Sequence, residues 1–147
     1  MANEAHDISS GAVSLTVPSH PKYLYVIRSV IFPLAVEAGF GRKEARHIVL
    51  AVDEACSNVI KHAYGGDPSK TIVLTVSDDA SQFTVQLRDR GKRVDRASIA
   101  PRELDEVRPG GLGTHFMGTV FDAVHYDTTV DEGTLLTLGK KKQQVGT

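Results

Sequence analysis

Cysteine is almost missing from this chain. One thiol, Cys56, among 147 residues excludes an intramolecular disulfide framework and suits a reducing compartment. It sits on the apolar side of a helical pattern, so it reads as a small buried hydrophobe, not a nucleophile. The six histidines are scattered, with no Cys/His cluster at zinc spacing. No apolar run is long enough to span a bilayer, and Met1 to Ser10 lacks a signal-peptide core. A cytoplasmic protein without membrane contact is therefore expected. Charge of one sign is lacking too: the net charge of −1 gives no electrostatic reason for direct binding to nucleic acid or an anionic surface. The basic run Lys140-Lys141-Lys142 reads as a solubilising end.

What is present suits one domain with a substantial core, at 41% hydrophobic and 24% charged residues. Residues 1–10 are polar and read as a flexible terminus, 11–139 as the domain, and 140–147 as a polar tail. Val13 to Val17 alternates with a period of two and predicts a strand ending at Pro18. Ser19 is placed to cap a helix that opens at Pro21. Its apolar stripe is Leu24, Ile27, Ile31, Leu34, Ala35 and Ala38, with Pro33 expected to kink or interrupt it.

A second helix is predicted from about Arg42 to His62. Ala45, Ile48, Val49, Val52, Ala55, Cys56, Val59, Ile60 and Ala63 define one face, while Glu54, Asn58 and Lys61 fall on the other. The turn cluster Tyr64-Gly65-Gly66-Asp67-Pro68 ends it. Two alternating runs, centred on Ile72-Leu74-Val76 and Phe83-Val85-Leu87, predict a hairpin that runs into Asp89-Arg90-Gly91. Residues 92–111 lose all periodicity, as a functional lid or an insert would. A third helical stripe starts at Phe116, and a last hairpin pairs Val124 and Tyr126 with Leu136 and Leu138. The order predicts an α+β fold: a mixed, mostly antiparallel sheet with helices on one face.

Three places carry chemistry. Glu54 and Asn58 lie one helical turn apart, a pairing that a solvated face also produces. Asp89-x-Gly91 follows a strand, as many plain turns do. Gly110 to Gly113 precede a helix, where glycine also serves merely to free the backbone. A glycine-led helix start offers backbone N–H groups to phosphate oxygens. An ionised aspartate accepts from an exocyclic amino group. An Asn carbonyl is a hard ligand suited to Mg²⁺, and a neighbouring Glu can take a proton from an attacking hydroxyl. Together these are the parts of phosphoryl transfer.

In that order, Glu54-x-x-x-Asn58-x-x-x-His62-Ala63-Tyr64, Asp89-x-Gly91 and Gly111-Leu112-Gly113 resemble the N, G1 and G2 boxes of the GHKL ATPase superfamily. The form Asn58 to Tyr64 is most similar to the anti-sigma-factor serine/threonine kinases of that superfamily. The resemblance covers about residues 12 to 138. It implies a Bergerat fold, a two-layer α/β sandwich with an ATP lid, and use of ATP with Mg²⁺. It implies Glu54 as general base and Asn58 as the Mg²⁺ ligand. Asp89 would contact the adenine amino group, with Gly91 beside the base. Gly111, Leu112 and Gly113 would lie against the phosphates, with Thr114, Lys61 and His62 as further contacts. As partners it implies a sigma factor, a STAS-domain antagonist as phosphoryl acceptor, and a second copy of the chain in a homodimer. Arg28 falls where the family meets its partners, although a plain surface arginine fits the residue equally. Arg93 stands where many members have a second glycine, and Thr114 and His115 follow Gly113 where an apolar residue is commoner. Those departures support an alternative: a non-catalytic partner-switching module that uses ATP only as a structural ligand or not at all.

Overall fold

The computed structural model describes residues 11–93 and 116–142. Five strands form one antiparallel sheet: β1 (Val13–Pro18), β2 (Thr71–Asp78), β3 (Gln82–Asp89), β4 (Ala123–Asp127) and β5 (Thr134–Lys141), in the spatial order β1-β2-β3-β5-β4. Two long helices, α1 (Leu24–Glu37) and α2 (Arg42–Asn58), pack against each other, and helical residues 116–120 follow later. No helix among the described residues is long and apolar enough to cross a membrane.

The alternation read from the sequence decides which face of the sheet is covered. Ile72, Leu74 and Val76 on β2, and Phe83, Val85 and Leu87 on β3, are all buried. Leu74 lies opposite Leu87 and Val76 opposite Val85, while Val85 and Leu87 meet Leu138 and Leu136 of β5. The opposite face carries Thr75, Ser77, Thr84 and Gln86, all partly exposed, with a hydrogen bond from Gln86 Nε2 to Thr137 Oγ1 (3.2 Å). A period of two thus sorts apolar from polar side chains onto opposite faces.

Against the apolar face α2 lays Ala45, Ile48, Ala51, Val52, Ala55 and Cys56, all buried. Three alanines in this stripe bring the helix axis close to its neighbours, and each larger side chain contributes about 1.5–3 kcal/mol by leaving water. Burial, together with the charge of Asp53, also pushes the Cys56 thiol upward, so it stays a protonated core residue. Phe40 meets Phe83 edge to face at 5.7 Å.

Three expectations need correction. Pro33 does not interrupt α1, which runs through it from Leu24 to Glu37; contact with α2 along the Ile27, Ile31 and Ala35 stripe outweighs one lost hydrogen bond. Ser19 does not cap the turn: its hydroxyl is buried without a partner among the described residues, and His20 Nδ1 accepts from the Lys22 N–H (3.1 Å) to start the 3-10 turn Pro21–Tyr23. The basic run is not a free tail. Lys140 and Lys141 belong to β5, the Lys140 ammonium donates to the Val120 carbonyl (2.9 Å), and Lys142 pairs with Asp78 at 2.5 Å.

Candidate functional site

Asp89 is the last residue of β3 and the most unusual one in the sheet. It is 5% exposed, where charged residues are seldom found without a purpose or a partner. Burial raises its carboxyl above the ordinary range, while the Gly91 backbone N–H, the Arg88 charge and the Thr134 N–H pull it back down. The Gly91 N–H donates to Asp89 Oδ1 at 2.9 Å, which fixes the carboxylate and leaves acceptor capacity on it.

Gly91 is required for a reason other than a turn. A methyl group there would lie 2.3 Å from the Ala63 carbonyl oxygen and 2.8 Å from the Tyr64 ring. The strand end is thereby pressed directly onto the backbone at Ala63 and Tyr64, a few residues past the end of α2. Two further bonds hold the junction. The Lys92 N–H donates to the Ala63 carbonyl (2.7 Å). The Tyr64 hydroxyl accepts from the Arg90 N–H (2.8 Å) and donates to the Thr71 carbonyl (2.7 Å). Replacing Tyr64 with Phe should cost about 1–3 kcal/mol, because two backbone groups lose their partner; urea denaturation measures this, and a loss under about 0.5 kcal/mol would contradict it.

The helix itself changes character at this point. After Asn58, residues Val59–Ala63 form a π turn, with the Tyr64 N–H reaching back five residues to Val59 (2.9 Å). Such widened turns are rare, occur mostly as single turns, and are frequent at functional sites. Lys61 and His62 lie on it, both exposed, while Glu54 and Asn58 are half-buried on the regular helix before it. Closing the ring over five residues advances the chain by fewer degrees per residue, so the angular spacing of Lys61 from Glu54 and Asn58 differs from that of a regular helix. The apolar spacing of Val59, Ile60 and Ala63 fits both kinds of turn, which is why the sequence hides the change.

The structure therefore brings Asp89 and Gly91 against the end of the helix that carries Glu54, Asn58, Lys61 and His62. Gly111, Leu112, Gly113, Thr114 and His115, most of the 92–111 segment, and residues 1–10 and 143–147 lie outside the described residues. The sequence marks Tyr64 as part of the N-box likeness and of a turn, but carries no local signal for its hydroxyl bonds, for the contact of Gly133 with Asp89, or for the pairing of Arg28 with Asp53 at 2.7 Å across α1 and α2. It singled out Arg93 only as a departure; its guanidinium is committed to the carbonyls of Gly133 (2.9 Å) and Val130 (2.5 Å). On the outer side of the helix pair, Tyr25, Phe32, Val49 and Leu50 line an open groove of about 550 Å³ bordered by Arg28 and Arg46. Tyr25 and Leu50 are 61% and 55% exposed there.

Comparison with known proteins gives the family. Residues 17–140 match the family described as "Histidine kinase-like ATPase domain". The chain is similar to the serine-protein kinase RsbW of Bacillus licheniformis, 27% identical over 87% of this chain and 84% of that one. It is also similar to the RsbW of Listeria innocua, 30% identical over 80% of this chain and 82% of that one. A crystal structure of the RsbU and RsbW domains of Rv1364c from Mycobacterium tuberculosis shares the fold, with a TM-score of 0.62 at 17% identity, over 88% of this chain and 31% of that one. The chain belongs to the histidine kinase-like ATPase family, in the branch that holds the RsbW serine-protein kinases.

Proposed function

We propose that this chain is a cytoplasmic, Mg-ATP-dependent serine/threonine protein kinase that also serves as an anti-sigma factor. In this reading it sequesters a sigma factor, phosphorylates a STAS-domain antagonist and works as a homodimer. The observation that carries the reading is the junction at Gly91, which seats a buried carboxylate beside the helix bearing Glu54 and Asn58. Asp89 accepts from the adenine amino group, and Gly91 lets the base approach the backbone.

Asn58 suits Mg²⁺. Its amide oxygen is a hard ligand on a half-buried side chain, and Mg²⁺ is commonly held by few protein oxygens beside phosphates and water. Bound there, the ion would offset phosphate charge. Gly111 to Gly113 supply backbone N–H groups for the phosphates, with Thr114, Lys61 and His62 as additional contacts. Glu54 serves as base: the acceptor hydroxyl oxygen bonds to the γ-phosphorus, the bond to the ADP oxygen breaks, and the hydroxyl proton passes to the Glu54 carboxylate. The groove between α1 and α2 is the partner-facing surface in this reading. Its exposed Tyr25 and Leu50 give an apolar centre with an arginine rim, the composition that protein interfaces favour.

Incubation with labelled ATP, Mg²⁺ and the STAS-domain antagonist tests the proposal. Label on a serine or threonine of the antagonist is expected, and none after prolonged incubation would sink it. The rival, a non-catalytic module, predicts no transfer whether or not ATP binds.

Thermal unfolding isolates the role of Asp89. Because burial raises its folded-state carboxyl, the folded protein holds this proton more tightly than the unfolded chain. Stability from this group is present at low pH. It falls as pH rises from the ordinary value of 3.8 through the raised one. Asp89→Asn removes that penalty and keeps an acceptor for Gly91. The ligand-free variant should therefore melt no lower than wild type at pH 7. The rise in melting temperature that Mg-ATP gives wild type by mass action should disappear in the variant. An undiminished rise would remove Asp89 from the base-binding role.

A further inference from the structure

Three arginines converge on the loop between β4 and β5. Arg88 donates to the Glu132 carbonyl (2.6 Å), to Asp131 Oδ1 (2.8 Å) and to the Asp89 carbonyl. Arg90 pairs with Asp131 at 3.1 Å. Arg93 spans the loop: its Nε donates to Gly133 (2.9 Å) and its Nη2 to Val130 (2.5 Å). The loop rests on the backbone of Asp89 itself. Gly133 has φ +70°, and a methyl group there would come within 2.1 Å of the Asp89 carbonyl oxygen.

These grips differ in strength. The Asp131 carboxylate is 75% exposed, so water and salt screen its pairs with Arg88 and Arg90. Like Arg88, Arg93 makes two charge-assisted bonds to backbone carbonyls, which fix the chain directly. Its two bonds hold both ends of the segment from Val130 to Gly133, and that segment presses on the Asp89-Arg90 peptide. We infer that Arg93 is a positioning residue for Asp89: it seats the β4–β5 loop against the strand end and so fixes the direction of the carboxylate. The arginine that breaks the glycine pattern of the G1 box thereby takes over a task in the same pocket. This inference rests on Asp89 being the base contact.

The test compares wild type with Arg93→Met, which keeps length and loses both bonds. Affinities for ATP and for inosine triphosphate, which lacks the exocyclic amino group, give a discrimination ratio. Hydrogen exchange of the Gly91 amide in the ligand-free protein reports on the carboxylate directly. In the variant the ratio should fall about tenfold and Gly91 should exchange at least about tenfold faster, with the amides of β2 unchanged. Arg93→Lys should recover part of both effects.

Unaltered Gly91 exchange overturns the inference, as does loss of protection throughout β2, which would make Arg93 a general stability residue. Faster Gly91 exchange with an unaltered ratio overturns it as well, provided wild type prefers ATP. If wild type does not discriminate but Gly91 exchange still rises, the positioning of the carboxylate stands and the base-contact reading fails.

Discussion

Glu54→Gln is expected to lower phosphotransfer to the antagonist by about 10²- to 10⁴-fold, the usual contribution of a positioned general base. Glutamine keeps the shape of the side chain and loses only the ability to take the proton. Glu54 is half-buried about one turn before the end of α2, on the side away from Ala55 and Cys56. Its replacement should therefore leave ligand-free stability within about 0.5 kcal/mol and preserve the stabilisation by Mg-ATP. Single-turnover transfer measured beside a melting curve separates the two effects. Full transfer by the variant would assign the proton to another acceptor. Loss of ATP stabilisation would make Glu54 a binding residue instead.

Gly91→Ala should have the largest effect on the folded state. The added methyl would stand 2.3 Å from the Ala63 oxygen and 2.6 Å from its carbonyl carbon, and neither is the end of a flexible side chain. Either β3 must withdraw from the helix end or the π turn must deform. Overpacking of this kind costs about 1–3 kcal/mol, occasionally more. Withdrawal would also break the Lys92 to Ala63 bond and unseat Asp89. The variant should melt several degrees lower and show no shift with Mg-ATP. A stable variant that still binds ATP would mean that the contact at Gly91 gives way easily.

Much of this was legible in the residues. The alternation of Ile72-Leu74-Val76 and Phe83-Val85-Leu87 placed a hairpin whose inward side chains are the buried ones, because a strand can bury only one parity. The stripe from Ala45 to Cys56 gave the covered face of α2 in the same way. Glu54, Asn58, Asp89 and Gly91 were legible as an ordered set through family likeness, not through periodicity. The remainder depends on hydrogen-bond register and distant pairing, which no local pattern carries. The π turn changes which carbonyl the Tyr64 N–H reaches while leaving the apolar spacing intact. Arg93 reads locally as a lost glycine, and only the approach of a loop forty residues away shows what it grips. Ser19 reads as a cap because serine is a preferred capping residue, whereas the neighbouring His20 ring nitrogen takes that part.

The Ala63 carbonyl, which receives the Lys92 N–H and lies against Gly91, would act as a gauge for a nucleotide bound as proposed. Asp89 and Asn58 belong to the two chain segments that this joint ties together. A nucleotide held at its base by the first and at its phosphates through the second would be measured end to end. Molecules carrying the right base at the wrong reach, such as a shortened or stretched sugar-phosphate, would engage one mark and miss the other.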